Sequence, residues 1–121
     1  MFTQLLFCII AALFTFAADN DLTGTIPSDF GLLSNLEGLL LGGNQLSGTI
    51  PSELGLLSSA RYLHFYSNQL SGAIPNELGL LSDLYGLYLH SNLLSGAIPI
   101  EFGLFSNLDR LTLYDNQFQV D

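Results

Sequence analysis

The side chains best suited to contacting a ligand recur at a fixed spacing in one part of the chain. All five tyrosines, both histidines and both arginines lie between residues 61 and 114, and each lies 24 or 48 residues from another member of the set. Tyrosine offers a large contact area with few torsions to freeze, and tyrosine with arginine is the usual composition of binding hot spots. The predicted ligand-binding residues are Arg61, Tyr62, His64, Tyr66, Tyr85, Tyr88, His90, Arg110 and Tyr114.

Packing and catalysis are two other uses for these residues. Aromatic side chains favour β-sheets, where cross-strand neighbours stabilise each other by about 0.2–1 kcal/mol without any ligand. His64 and His90, with Asp109 and Asp115 further along, could serve acid–base chemistry or bind a metal. No serine stands beside a histidine in a recognisable nucleophile motif. We therefore predict no enzyme activity, no cofactor and no metal, with a kinase domain conceivable only in a longer receptor.

The 24-residue spacing belongs to a repeat that covers most of the chain. Residues 33–56, 57–80 and 81–104 are three full copies, residues 20–32 match the second half of the unit, and residues 105–118 match the first half. The full copies follow L-x-x-L-x-L-x-x-N-x-L and then S-G-x-I-P-x-E-L-G with few departures. A period of about 20–29 residues containing the first pattern is typical of a leucine-rich repeat.

Within a unit, the pattern predicts a structural role for each recurring residue type. Leucines alternate with outward-facing positions, which predicts a short strand that stacks in parallel on its copies at about 4.8 Å. The recurring asparagine, Asn44 in the first copy, is expected to bond backbone groups at the bend that follows. Gly48 supports a second extended segment, Pro51 begins a short helical turn, and Gly55 is expected to end that turn.

The combined pattern resembles the plant-type 24-residue leucine-rich repeat of receptor-like kinase ectodomains and polygalacturonase-inhibiting proteins. The resemblance extends over residues 20–118 and implies an α/β repeat solenoid, with a parallel β-sheet on its concave side and short 3-10 turns on its convex side. It also implies non-catalytic recognition of a protein, a peptide or a polysaccharide, by a protein that is secreted or part of a cell-surface receptor. An inhibitor of a secreted glycosidase is an alternative. Because no other element covers the concave side of such a solenoid, a ligand surface is favoured there over packing alone.

The composition restricts the possible partners. Hydrophobic residues make up 49% of the 121 residues and charged residues 11%, which is too apolar for a disordered segment. Two basic residues against eleven acidic ones give a formal net charge of −9. Nucleic acids and anionic membranes bind proteins through Lys and Arg, so we predict no nucleic-acid partner and a ligand that is neutral or basic.

Residues 1–18 differ from the repeats and are predicted to be a signal peptide. An unbroken apolar run, residues 5–14, is followed by small residues, and cleavage after Ala17 or Ala18 would release a leucine-rich-repeat domain of residues 19–121. The alternative is a degenerate first repeat, because Thr15 and Ala17 stand 24 residues before Leu39 and Leu41.

The chain lacks the cysteine-paired caps that the resemblance implies. Its single cysteine, Cys8, lies in the predicted signal peptide, so no disulfide can join two parts of the chain. No apolar stretch long enough to span a membrane follows the repeats. The sequence is therefore compatible with a minimal secreted module and with a piece of a larger receptor.

Ice binding is a further non-enzymatic alternative, because some repeat solenoids present flat ladders of small hydroxyl residues. Half of one candidate ladder is alanine and most of the other is serine, so a regular threonine pattern is missing. The two candidate ladders are Thr23, Ser47, Ser71, Ser95 and Thr25, Thr49, Ala73, Ala97.

Overall fold

Two parallel sheets and a row of 3-10 helices make up the part of the chain that the structure, a computed structural model, describes, residues 14–119. The concave sheet contains β1 (Phe14–Phe16), β3 (Gly38–Leu40), β5 (Tyr62–His64), β7 (Gly86–Tyr88) and β9 (Arg110–Thr112). The second sheet contains β2 (Thr23–Thr25), β4 (Gln45–Gly48), β6 (Gln69–Ala73), β8 (Leu93–Gly96) and β10 (Gln117–Phe118). The 3-10 helices are η1 (Ser28–Leu32), η2 (Ser52–Leu56), η3 (Asn76–Leu80) and η4 (Ile100–Leu104). Within the described range no helix is long and apolar enough to cross a membrane.

The two sheets differ in register. In the concave sheet, Gly38 pairs with Tyr62 and Tyr62 pairs with Gly86, so equal positions of successive repeats lie side by side. In the second sheet, Thr23 pairs with Gln45, which is only 22 residues further on. Parallel stacking of the 24-residue repeat predicts columns of side chains that stand 24 residues apart, and these columns are present on the concave sheet. On the second sheet, equal positions are staggered by two residues per repeat.

The inward positions of both sheets form one apolar core. The central residues of the concave strands, Leu39, Leu63 and Leu87, are fully buried, and so are the central leucines of the second sheet. Fully burying a leucine side chain contributes about 1.5–3 kcal/mol. A single repeat has no second layer against which to bury these leucines, so the repeats stabilise one another by stacking.

Each recurring asparagine bonds backbone groups of two repeats, as predicted. Asn68 Nδ2 donates to the carbonyl oxygens of Leu41 (3.0 Å) and Phe65 (3.1 Å), and its Oδ1 accepts from the Leu46 N–H (2.9 Å). Asn92 repeats this pattern one unit later. Because an unpaired buried polar group costs about 1–3 kcal/mol, these amides stabilise the bend between the two sheets.

The prediction that Gly55 ends the helical turn is wrong. Pro51 stands directly before η2 as expected, but the helix continues through Gly55 to Leu56. A Cβ at Gly55 would lie 2.6 Å from the carbonyl oxygen of Glu77 in the next helix, so glycine is needed there for close packing of helix on helix. The predicted role of Gly48 in the bend is confirmed, because its φ of +78° lies in the left-handed region that glycine adopts without strain.

The first strand adds a partial repeat before the predicted domain boundary. β1 pairs with β3 in the register of the other concave strands, and Thr15 and Ala17 are 3% and 4% exposed. The Ala17 N–H donates to the Leu40 carbonyl at 3.1 Å, and the Ala17 carbonyl accepts from Asn44 Nδ2 at 2.9 Å. Residues 14–17 thus occupy the positions that a degenerate repeat would occupy. Most of the predicted signal-peptide core falls in residues 1–13, outside the described residues, and its cleavage stays a prediction.

Candidate ligand-binding surface

All nine predicted ligand-binding residues lie on the concave sheet or next to it. The unstaggered register places equal positions of neighbouring repeats side by side, so the columns predicted from the sequence are real rows of side chains. The residues within the strands are Tyr62, His64, Tyr88 and Arg110, and those within two residues of a strand end are Arg61, Tyr66, Tyr85, His90 and Tyr114.

Five of these side chains form two stacks, which we call the aromatic ladder: His64, Tyr66, Tyr88, His90 and Tyr114. The His64 and Tyr88 rings stack at 4.3 Å between centroids with 13° between their planes. In the other stack, Tyr66 lies 5.1 Å from His90, and His90 lies 4.5 Å from Tyr114. Aromatic pairs contribute about 0.5–1.5 kcal/mol beyond their buried area. The rings therefore stabilise the sheet as well as shaping its surface.

Glycines of the first full repeat make room for the rings of its neighbours. A Cβ at Gly42 would overlap the Tyr66 ring, and a Cβ at Gly38 would overlap the Phe14 ring. The first repeat therefore provides a bare backbone surface against which one end of the aromatic ladder packs. At the opposite end, the Tyr114 side chain is 64% exposed.

The tyrosine hydroxyl groups are available to a ligand. Within the described residues, no tyrosine hydroxyl takes part in a hydrogen bond to the protein, and no buried tyrosine oxygen is left without a partner. These oxygens are consequently in contact with solvent. Each can donate one hydrogen bond and accept others, so the aromatic ladder presents polar groups on an otherwise apolar surface.

The two histidines belong to different stacks and have different polar environments. Nε2 of His64 is buried without a hydrogen-bond partner, and burial lowers the pKa of this imidazole below its ordinary value of 6.5. Nδ1 of His90 lies 2.6 Å from the Thr112 hydroxyl. Among the described residues, no group of three or more His, Cys, Asp or Glu side chains is arranged to hold a metal ion.

The predicted contacts of Arg61 need correction. Glu37, Arg61 and Tyr85 stand at one position of successive repeats, and this spacing predicts that Arg61 pairs with Glu37 and lies on the Tyr85 ring. Its guanidinium instead lies 5.8 Å from the centroid of the Tyr62 ring. Across residues 14–119 the one ion pair joins Arg110 to Asp109, at 3.2 Å. An exposed ion pair contributes only about 0–1 kcal/mol, which is no more than a cation–π contact contributes. The position of Arg61 in the repeat therefore does not by itself determine which side chain it contacts.

Asp83 and Asn107 were missed by the sequence reasoning. Together with Arg61 and Tyr85 they line a cleft of about 420 Å³ at the start of the concave strands. Both residues precede their strands and fall outside the alternating pattern. Their spacing was the available signal, because Asp83 stands two positions before Tyr85 and Asn107 stands two positions before Asp109, the equivalent of Tyr85 in the next repeat. A larger cleft of about 810 Å³ lies between the ends of the second-sheet strands and the starts of η1, η2 and η3, and no aromatic side chain lines it.

Fold and repeat together define the class of protein. The family model described as Leucine Rich Repeat matches residues 35–57 and 59–81. With the two parallel sheets, the bonded asparagines and the row of 3-10 helices, this match shows that the chain is a plant-type leucine-rich-repeat protein folded as a solenoid. The resemblance seen in the sequence and the fold it implies are confirmed.

Plant receptor structures share this fold. The chain is 46% identical to a chain of the PEPR1-AtPEP1 crystal structure, covering 84% of this chain and 14% of that one with a TM-score of 0.82. It is 42% identical to the ectodomain of the membrane receptor kinase GASSHO1/SCHENGEN3 from Arabidopsis thaliana, solved in complex with CASPARIAN STRIP INTEGRITY FACTOR 2 (85% of this chain, 12% of that one, TM-score 0.84). A plant ice-binding protein is 33% identical (88% and 34%, TM-score 0.83). The chain therefore spans a minor part of each of these proteins. No curated protein sequence matches it significantly.

Proposed function

We propose that the chain is a non-catalytic binding module that recognises a protein, a peptide or a polysaccharide with its concave sheet. The observation that carries this proposal is the aromatic ladder, because its rings lie on an uncovered sheet with their hydroxyl groups unpaired. Rigid aromatic side chains with free polar ends are typical of recognition surfaces. Further support comes from the similar ectodomain that was solved in complex with another molecule.

The arrangement of the histidines supports binding rather than catalysis. A general base must reach the proton that it abstracts, at hydrogen-bond distance. His64 Nε2 is buried and out of contact with solvent. His90 Nδ1 is bonded to the Thr112 hydroxyl, and within the described residues no carboxylate bonds to either imidazole to orient or activate it. We expect His64→Gln and His90→Gln to alter packing and affinity.

Two triple variants test the binding proposal. Changing Tyr66, Tyr88 and Tyr114 to Phe keeps the stacks and removes the hydroxyl groups, whereas changing them to Ser removes the rings. A ligand is first selected from a synthetic peptide library and an oligosaccharide array, and its affinity is then measured by calorimetry. We expect the Phe variant to bind at least about tenfold more weakly and the Ser variant not to bind.

A variant on the other side of the molecule serves as the control for this test. Gln45→Ala, on the exposed side of the second sheet, should bind as the unchanged protein does. Circular dichroism must show that all variants are folded. Full affinity of a folded Ser variant would refute the proposal.

A secreted or cell-surface location follows from the same proposal. It is supported by the apolar N-terminal segment and by the similarity to ectodomains of membrane receptor kinases. Expression with a C-terminal tag and mass spectrometry of the medium would test it. Recovery of the protein only inside the cell, with residue 1 still present, would contradict it.

Ice binding is a second candidate function, and the similarity to a plant ice-binding protein is the observation that favours it. Thr23, Thr25 and Ala73 are exposed on the second sheet, and Thr49 is exposed directly after β4. Thermal hysteresis and inhibition of ice recrystallisation are the measurements to make. Activity that is lost in Thr25→Lys and kept in the Tyr-to-Phe variant would place ice binding on the second sheet.

A further inference from the structure

The cleft of about 420 Å³ beside the concave sheet is lined by residues of two neighbouring full repeats and of the partial repeat that follows them. Backbone hydrogen bonds fix the segments that form it, because the Tyr85 N–H donates to the Arg61 carbonyl at 2.8 Å and the Asp109 N–H donates to the Tyr85 carbonyl at 2.9 Å. Sites for small ligands have volumes of about 300–1,000 Å³. The cleft is therefore large enough for one sugar ring or a short side chain.

Two opposite charges line this cleft without pairing. Arg61 and Asp83 form no salt bridge with each other. The Arg61 guanidinium lies over the Tyr62 ring, and within the described residues neither it nor the Asp83 carboxylate makes a side-chain hydrogen bond or ion pair. The Arg61 guanidinium can only donate hydrogen bonds and the Asp83 carboxylate can only accept them. Both groups thus line one cleft, and neither has a hydrogen-bond partner.

The neutral groups of the cleft also have unused hydrogen-bonding capacity. Asn107 Nδ2 donates to the Ser82 carbonyl at 2.9 Å, which leaves Oδ1 of the same amide as a free acceptor. Within the described residues, the Tyr85 hydroxyl is unpaired, and the one aromatic ring that packs against the Tyr85 ring is that of Tyr62, edge to face at 5.8 Å between centroids. The cleft therefore combines a donor, two acceptors, a hydroxyl and an aromatic ring.

Charge complementarity argues against an ionic ligand. A carboxylate attracted to Arg61 would be repelled by Asp83 and by the formal net charge of −9. A cation attracted to Asp83 would be repelled by Arg61. A sugar hydroxyl both donates and accepts, so neighbouring hydroxyls of one sugar can accept from Arg61 and donate to Asp83 and Asn107.

We propose that this cleft binds one sugar residue of a neutral polysaccharide, with Arg61 as donor, Asp83 and Asn107 as acceptors, and the Tyr85 ring against the C–H groups of the sugar. The inference rests on the proposed function in that the cleft opens beside the same concave sheet. It adds the ligand class and two residues, Asp83 and Asn107, that the aromatic columns do not include.

The test uses the full chain and three neutral probes, cellohexaose, laminarihexaose and mannohexaose. Saturation-transfer difference NMR detects binding, and titration gives the affinity. We expect at least one hexasaccharide to bind and Asp83→Ala to weaken its binding about tenfold or more, because a hydrogen bond to a charged group is lost. Glu53→Ala, an exposed carboxylate on η2, is the matched control and should leave the affinity unchanged.

Three results would overturn the inference. The first is that none of the hexasaccharides binds, and the second is that the folded Asp83→Ala variant binds as well as the Glu53→Ala variant. The third is that a galacturonate hexasaccharide or a peptide with a free carboxylate binds through Arg61 and binds more tightly to Asp83→Ala, because the cleft would then be an anion site.

The Tyr-to-Phe triple variant distinguishes this failure from a failure of the proposed function. In one outcome no hexasaccharide binds, but a peptide binds, and its binding is lost in the triple variant and unaffected by Asp83→Ala. The proposed function is then supported and the sugar site is refuted. In the opposite outcome, the affinity for a hexasaccharide depends on Asp83 and is unchanged in the triple variant. The sugar site is then supported and the proposed role of the aromatic ladder is refuted.

Discussion

The concave sheet and the second sheet arise from the same 24-residue repeat but use their exposed positions in opposite ways. On the second sheet, Gly48, Gly72 and Gly96 recur unchanged, each with φ between +77° and +78°. On the concave sheet, Gly38, Tyr62, Gly86 and Arg110 share one position. Backbone in the left-handed region strongly favours glycine, whereas an extended strand accepts any side chain. The concave sheet is therefore the surface where the repeats can differ without backbone strain.

The largest expected effect concerns Asn68, which joins the two sheets. Asn68→Ala removes four hydrogen bonds and leaves the buried Leu46 N–H without a partner, while the Leu41 and Phe65 carbonyls still accept from Asn44 and Asn92. We expect the free energy of unfolding, measured by urea denaturation, to fall by about 2–3 kcal/mol. Asn116→Ala is the control. Because Asn116 is only half-buried, this variant should lower the free energy of unfolding by clearly less. Equal losses would show that burial does not set the strength of these bonds.

A truncation separates the contributions of the two sheets at the N-terminal end. A chain that begins at Asp19 lacks β1 of the concave sheet and retains β2 of the second sheet, whereas one that begins at Phe14 retains both. Loss of Thr15 and Ala17 uncovers Leu39 and its neighbours, so we expect the chain from Asp19 to be less stable by about 2 kcal/mol. Equal melting temperatures would show that β1 contributes nothing to the fold.

Two glycine variants test the contrast in backbone directly. Gly72→Ala on the second sheet places a Cβ at φ +78° and 3.0 Å from a Thr49 methyl group, so we expect it to cost about 1–2 kcal/mol. Gly86→Ala on the concave sheet meets nothing closer than a Tyr62 ring carbon at 3.4 Å and should cost less than about 0.5 kcal/mol. A larger loss of stability in Gly86→Ala than in Gly72→Ala would contradict the contrast between the two sheets.

The smallest effect is a pH dependence of stability from His64. Burial lowers its pKa in the folded state, so the unfolded chain takes up the proton more readily. The neutral His64 ring makes its full contribution to stability when the pH is above 6.5, the ordinary pKa of histidine. This contribution is lost as the pH falls through the lowered pKa of the folded state.

Unfolding curves from pH 8 down to pH 5 would measure this loss. His64→Gln should flatten the dependence relative to the unchanged protein, because glutamine does not titrate, while His90→Gln should keep it. An unchanged slope in His64→Gln would assign the dependence to other groups.

The repeat made most of the fold predictable. Leucine spacing fixed the strands, and a strict 24-residue period fixed which residues share a column on the concave sheet. Asn44 and Pro51 were assigned correctly because a buried amide and a proline each have few places where they fit. Gly55 was assigned wrongly because its reason is the neighbouring helix, which no local pattern contains.

The details of the candidate site were less predictable. The contact of Arg61 depends on the side-chain torsions of a long, exposed residue, for which several arrangements are close in energy. The cleft at Asp83 and Asn107 arises from turns before the strands, where alternation gives no information. The stagger of the second sheet depends on how three repeats pack, so the sequence columns there did not correspond to straight rows.

The stagger separates the equal positions of the repeat from the rows of side chains on the second sheet. Two residues of a strand span about 6.6 Å, which exceeds the spacing of about 4.8 Å between neighbouring strands. Equal positions, such as Thr25 and Thr49, therefore lie along a steeply inclined line, whereas the residues that lie side by side are unlike positions of the repeat, such as Thr25, Ser47 and Gln69. A row across the second sheet thus changes residue type from strand to strand even where the repeats are identical. A ligand that reads one repeated position on this sheet must follow the inclined line, while one on the concave sheet follows a row perpendicular to the strands.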